Sequence, residues 1–200
     1  MNALIVVAHP DPQSLTHAVA AQLADGLSQS GHAFEVADLA AEGFDPRFNN
    51  DDVAGFYLRA AAPEDVRAEQ ARIDRADALA LVFPVYWWSM PGLLKGWIDR
   101  VFANGWAYEE RDGRVVKKLQ HLRVHLLGVG GAGPGTYRKH GYDVAMKTQI
   151  DHGIFDYCGA RVLTSELLLH TNPDEAAAHL RTAFALGRGL FAEAEQGEAA

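Results

Sequence analysis

Three stretches of this chain carry side chains whose types and spacing suit chemistry. In Val82-Phe-Pro-Val-Tyr-Trp-Trp-Ser-Met-Pro91, Tyr86, Trp87 and Trp88 fall in a loop bounded by Pro84 and Pro91. Consecutive aromatics in a loop are unfavourable in water unless something flat packs on them, and a planar, electron-poor ring is such a partner. The backbone amides of Val85, Tyr86, Trp87 and Trp88 offer donors to its polar edge. The competing reading is that Trp87 or Trp88 fills a gap under the next helix or at a subunit interface. In His9-Pro-Asp-Pro-Gln-Ser-Leu-Thr16, Ser14 and Thr16 stand where a helix begins. Free N–H groups and the dipole at such an end draw anions, so a phosphate site is one reading. A plain N-cap at Ser14 is the other. His9 is either a donor beside that anion or a structural histidine, and Asp11 must point away for a phosphate to sit there.

The third stretch, Gly130-Gly-Ala-Gly-Pro-Gly135, has little side chain to block close approach of a ligand to its amides, or is only a flexible turn. Tyr137 and His140 follow it. Both can hydrogen-bond to developing negative charge, and histidine can hold a proton near neutrality. Such a pair would stabilise a charge-separating transition state electrostatically; a mobile polar loop with Arg138 and Lys139 is the alternative. Other schemes fare worse. His121 and His125 are spaced like metal ligands on a helix face but straddle a strand start, and no other His/Cys spacing suits a metal site; no GxSxG elbow is found, and the His9–Thr16 loop carries no GxGxxG or Walker pattern. Cys158, the only cysteine, lies at an apolar helix end and reads as packed rather than nucleophilic.

The elements that must position these residues follow from apolar periodicity. Strands are expected at Ala3–Ala8, Phe34–Leu39, Ala78–Phe83, Arg123–Gly128 and Val162–His170. Helices are expected at Leu15–Ser30, Asp51–Ala61, from Pro63, at Gly92–Phe102, at Val144–Cys158, and from Pro173 onward. This alternation predicts an α/β fold: one doubly wound, five-stranded parallel sheet in the order 2-1-3-4-5 with helices on both faces. Ligands of such sheets bind at the carboxyl ends of the strands, near the switch point. The three loops follow strands one, three and four, and so are expected to surround one crevice. A single unit over residues 1–195, with a frayed tail at 196–200, is expected.

Bulk numbers agree with a soluble enzyme-sized domain. The chain has 200 residues, 48% hydrophobic and 22% charged, with a net charge of −8. That charge argues against nucleic acid as a partner. No signal peptide or membrane-length apolar run is apparent, and with one cysteine a cytoplasmic location is expected.

Several blocks carry a family resemblance. They are Ala8-His9-Pro10 with Ser14, Asp38-Leu39 followed by Phe44-Asp45-Pro46, and Phe83-Pro84 with Tyr86-Trp87. Pro91-Gly-Leu-Leu-Lys-Gly-Trp-Ile-Asp-Arg-Val-Phe102, Trp106-Ala-Tyr108, Gly130-Gly131 and Cys158-Gly159 continue it over nearly the whole chain. In these the sequence resembles the NAD(P)H:quinone oxidoreductases of the flavodoxin-like superfamily, the DT-diaphorase type. The resemblance implies a non-covalent flavin, a homodimer with active sites at its interface, and ping-pong hydride transfer from NAD(P)H to quinones, with nitro or azo compounds as further acceptors. It implies that His9, Ser14, Leu15 and Thr16 contact the flavin phosphates or ribityl chain. Pro84, Val85, Tyr86, Trp87 and Trp88, with Gly130 and Gly131, would hold the ring, and Tyr137 and His140 would assist charge development. The chain departs from the mammalian enzymes in having Tyr86 where they have Gln and a shorter Tyr137–His140 segment. The long Ala40–Arg59 segment resembles the FAD-using type, with FMN the close alternative. Two other readings stand beside this one: an ancillary subunit of a glutathione-gated potassium-efflux system, with a transporter as partner, and a one-electron flavodoxin-like carrier, disfavoured because the Ser/Thr- and Gly-rich flavodoxin phosphate loop is missing.

Overall fold

A computed structural model describes residues 1–192, so the expected frayed tail and the end of the 1–195 unit lie outside the described residues. Strands in chain order are β1 (Asn2–Val7), β2 (Ala33–Asp38), β3 (Ala78–Pro84), the hairpin β4 (Tyr108–Arg111) and β5 (Arg114–Lys117), β6 (Arg123–Gly130) and β7 (Arg161–Leu169). Five of them form a parallel sheet in the order β2-β1-β3-β6-β7. With the separate hairpin set aside, this is the expected 2-1-3-4-5 order. The chain turns tightly at Asp112 and Gly113, both at positive φ, to make the hairpin. Every residue of β3 is buried, as a central strand covered on both faces requires.

Helices α1 (Leu15–Gln29), α2 (Asn50–Phe56), α3 (Glu64–Asp74), α4 (Gly92–Val101), α5 (Pro134–His140), α6 (Tyr142–Met146) and α7 (Pro173–Gly189) complete the fold. α1 and α7 cover one face of the sheet, and α3 and α4 cover the other. Two helix expectations need correction. The helix expected over Asp51–Ala61 ends at Phe56, and Leu58 at φ 55° turns the chain away. The helix expected over Val144–Cys158 begins at Tyr142, and its body, Lys147–Asp156, is a wide π-helix, a form that apolar spacing does not reveal.

Close backbone approach fixes the outer layers. A Cβ on Gly26 of α1 would lie 2.3 Å from the Phe184 carbonyl oxygen of α7, and one on Gly187 would lie 2.1 Å from that of Leu23. The two helices therefore cross backbone to backbone. Gly96 does the same for α4, where a Cβ would meet the Pro46 carbonyl oxygen at 2.2 Å. Around that contact Arg100, almost wholly buried, joins three segments. Its guanidinium reaches Asp52 of α2 at 3.0 Å, Asp65 of α3 at 2.6 Å and the Asp45 carbonyl at 2.8 Å. Nearby, the buried Trp97 indole donates to Glu69 at 2.8 Å, and Arg72 bridges Glu69, Glu42 and Glu35.

His125, in the middle of β6, is buried. Its Nδ1 lies 3.0 Å from the Thr164 hydroxyl, and its Nε2 has no partner among the described residues. Burial first, and then the charge of Arg123, pushes it down to about 4. The unfolded chain, titrating near ~6.5, then binds this proton over a range where the folded chain does not. Stability contributed by neutral His125 is accordingly lost as pH falls from about 6.5 toward about 4, by roughly 3 kcal/mol in all. Urea titrations of the native chain and His125→Gln at neutral and acidic pH check this: the acid loss should shrink in the variant.

Candidate functional site

The strands β1, β3 and β6 are neighbours and run the same way, so their carboxyl ends open on one edge. Ala8 N–H donates to the Val82 carbonyl, and Val85 N–H donates to the Val129 carbonyl at 2.8 Å. The loops leaving these ends are therefore tied side by side, as the crevice reading requires.

At the first loop, Ser14 caps α1. Its Oγ accepts the His17 N–H at 3.3 Å and also lies 3.0 Å from His17 Nδ1. The Leu15 and Thr16 N–H groups are left at the open helix end, where an anion finds them. The Thr16 side chain is almost wholly buried. Asp11 turns its carboxylate onto the Gln13 N–H at 2.9 Å, and its own N–H donates to His9 Nδ1 at 3.0 Å. His9 Nδ1 must then be bare, which leaves the ring proton on Nε2 as an outward donor.

The aromatic loop is a two-residue turn. Tyr86 N–H donates to the Ser89 carbonyl and Ser89 N–H to that of Tyr86, both at 3.1 Å. Between them Trp87 and Trp88 have φ of 49° and 60°. A turn with positive φ at both central positions normally holds Asn-Gly or Gly-Gly. Each non-glycine residue in this conformation costs about 1–2 kcal/mol. Trp87 gains no packing in return, being 92% exposed. Of the four loop amides, those of Val85 and Tyr86 are used within the protein, which leaves those of Trp87 and Trp88.

Trp88 is the tryptophan that packs. Its ring stacks on Tyr142 at 3.9 Å between centroids and meets Tyr137 edge-on at 5.2 Å. His140 also stacks on Tyr142, at 5.3 Å between centroids. Tyr142, which sequence reasoning missed, thus ties the aromatic loop to α5; its signal was the cluster of aromatic residues just past the glycines. Tyr137 and His140 lie on helix α5 rather than in a loop, with Pro134 in its first turn and Gly141 closing it at φ 68°. The glycine loop shortens to 131–133, since Gly130 ends β6. Tyr137 is buried, and its hydroxyl comes within 2.8 Å of where a Gly130 Cβ would stand. Burial pushes the Tyr137 pKa up, so it remains a protonated donor. Gly131 has open space on its side-chain side, and His140 is exposed.

The structure therefore gathers His9, Ser14, Leu15 and Thr16 at one end of the edge, and Pro84 to Trp88, Gly130, Gly131, Tyr137 and His140 at the other. Outward N–H groups at a helix end, free amides on a strained aromatic turn and an open glycine fit a planar ring carrying a phosphate. Among the described residues no cluster of His, Cys, Asp and Glu could hold a metal ion. No described helix is long and apolar enough to cross a membrane. Cys158 is buried and its thiol is pushed up to about 11, mainly by burial, which leaves it unreactive. A larger cavity of about 590 Å³ lies at the other end of α4, among Phe56, Arg100, Trp106, Tyr108 and Tyr157.

Comparison with known proteins agrees with this geometry. Residues 1–185 match the family model described as having a flavodoxin-like fold. The chain is similar to an uncharacterized NAD(P)H oxidoreductase of Haemophilus influenzae, 30% identical over 179 residues that cover 88% of each chain. It is similar to the human ribosyldihydronicotinamide dehydrogenase [quinone], 30% identical over 184 residues that cover 82% of this chain and 79% of that one. Among solved structures it is similar to the NAD(P)H:quinone oxidoreductase from Methanothermobacter marburgensis, with a TM-score of 0.88 and 29% identity over 95% of this chain and 98% of that one.

Proposed function

The chain belongs to the family of proteins with a flavodoxin-like fold, and from that premise we propose that it is a flavin-dependent NAD(P)H:quinone oxidoreductase. The observation that carries this reading is the meeting, on one sheet edge, of the Ser14-capped start of α1, a strained tryptophan turn and a Tyr/His pair. Relatives that match along most of the chain and are named as an NAD(P)H oxidoreductase, a ribosyldihydronicotinamide dehydrogenase [quinone] and an NAD(P)H:quinone oxidoreductase support it. Bound flavin supplies the two-electron chemistry that links NAD(P)H oxidation to quinone reduction in alternating half-reactions.

The protein's part is binding, orientation and electrostatics. Leu15 and Thr16 N–H groups, with His9 Nε2 and Ser14, hold the phosphate end. Trp87 and Trp88 offer amides and faces to the ring, and Gly131 lets the backbone approach it, while Gly130 gives up its side-chain space to the Tyr137 hydroxyl and Leu169. Tyr137, kept protonated by burial, and His140 donate hydrogen bonds where negative charge grows. The reading takes the cofactor as FAD, on the length of the Ala40–Arg59 segment, with FMN the close alternative. It also takes the protein as a homodimer, since Phe56, Tyr57, Leu58 and Tyr157 are exposed around or beside the cavity at the far end of α4.

Denaturing the purified protein and separating what is released by chromatography tests the reading and distinguishes FAD from FMN. The native protein should be yellow, bleach with NADPH and recolour with a quinone. A colourless protein that takes up no flavin would overturn the reading. Trp87 offers a second check. Trp87→Gly relieves a left-handed residue with almost no packing to lose, so thermal unfolding should occur at the same temperature or higher, with a gain of up to ~1 kcal/mol. Flavin retention in equilibrium dialysis should nonetheless fall.

A further inference from the structure

We infer that His17 is a positioning residue of the phosphate site: it decides whether Ser14 turns its hydroxyl proton inward or toward a bound cofactor phosphate, so that phosphate-bearing flavin binds together with one proton. The inference rests on the flavin reading above and adds to it a residue outside the three loops.

The His17 ring is engaged at both nitrogens. Nε2 lies 2.9 Å from Asp38 Oδ2, at the end of β2, and Nδ1 lies 3.0 Å from Ser14 Oγ. Asp38 is held in place by the N–H groups of Ala40 and Ala41. Burial works against its carboxylate, but the hydrogen bonds from His17 and Ala41 outweigh it and keep Asp38 ionised below the usual carboxylate range. An ionised Asp38 accepts only, so His17 Nε2 carries a proton. In neutral His17 the other nitrogen is then bare and accepts the Ser14 hydroxyl proton. Ser14 Oγ already accepts the His17 backbone N–H. With its one proton turned inward, Ser14 has nothing to donate at the open end of α1.

Protonation reverses the direction. A proton taken from solvent onto Nδ1 makes it a donor to Ser14 Oγ, and the Ser14 hydroxyl proton swings free toward an anion in front of the Leu15 and Thr16 amides. The anion favours this state twice, by the hydrogen bond gained and by a positive charge one helical turn away. The other titratable groups here belong to the loop after β1. His9 meets the His17 ring edge-on at 6.2 Å, and Asp11 holds the Gln13 N–H. His9 cannot act the same way at Nδ1, where a proton would break its bond from the Asp11 N–H.

FAD is the probe of choice, because its pyrophosphate has no group titrating where histidine does, whereas the FMN monoester titrates near ~6. The full chain, freed of flavin, is titrated with FAD by calorimetry in buffers of unlike ionisation enthalpy, between about pH 6 and about pH 8. Riboflavin, which lacks the phosphate, is the control. The expected result is proton uptake with FAD and an affinity that rises roughly 5- to 150-fold toward the acid end, with riboflavin flat. His17→Asn should bind FAD without proton uptake. FAD binding with no proton exchange, or uptake that survives in His17→Asn, overturns the inference and leaves the flavin reading standing. A folded chain that binds no flavin at any pH overturns both. If His17→Asn does not fold, imidazole nitrogen NMR of the native chain decides: His17 must gain a proton at Nδ1 on adding FAD, and an unchanged ring overturns the inference.

Discussion

His140→Ala is expected to slow reduction of the bound flavin by NADPH by about 10²–10⁴-fold, the usual worth of a positioned proton donor, with no change in the flavin content of the purified protein. The two readouts separate because of where His140 sits. It is exposed on the last turn of α5, and among the described residues its ring contact with the aromatic cluster is to Tyr142. Removing its ring leaves the Trp88–Tyr142 stack and the Trp88–Tyr137 contact in place, so the turn that would hold the cofactor keeps its shape. Stopped-flow absorbance measures the rate, and unchanged kinetics would remove His140 from the reaction. Tyr137→Phe makes a useful companion. It keeps the buried ring but deletes the hydroxyl beside Gly130, so a comparable slowing there would assign charge stabilisation to both donors.

Arg100→Leu is expected to destabilise the chain by about 3–5 kcal/mol, because it leaves a buried carboxylate without its counter-charge. Asp52 has only 2% of its side chain exposed, and its remaining partner is the Asn49 N–H at 2.8 Å. Losses of that size take up much of the stability of a typical domain. The double variant Arg100→Leu/Asp52→Leu should recover part of the loss, since no lone charge then remains inside, although the Asn49–Asp52 capping box is lost with it. Urea unfolding of the two single variants and the double variant measures the coupling. A double variant as unstable as the sum of the singles would mean that Arg100 acts by packing against Phe44, over whose ring it lies at 5.3 Å, rather than by charge.

These outcomes bear on what a sequence reveals. The five sheet strands were legible because continuous apolar runs such as Ala78–Phe83 have few other uses, and their order followed from the alternation with helices. The shared sheet edge was legible because His9–Thr16, Pro84–Trp88 and Gly130–Gly135 each follow a strand that the topology places side by side. The local chemistry was less so. Glycines around Pro134 read as a loop, yet proline sets the backbone angle for a first helical turn and α5 forms. Nothing in the pair Trp87-Trp88 predicts a turn that tryptophan resists; tertiary contacts of Trp88 with Tyr137 and Tyr142 impose it. His17 escaped notice because its partner Asp38 lies 21 residues away and meets it only through the β1–α1–β2 crossover.

The glycine crossing of α1 and α7 has a mechanical consequence. With main chains in contact at Gly26 and Gly187, no side chain separates the two helices at the point where they cross. A tug on the C-terminal end is passed straight into the first helix, whose far end carries Ser14. Pulled in an optical trap from that end, the molecule should lose its grip on a captured phosphate before any strand of the sheet comes apart.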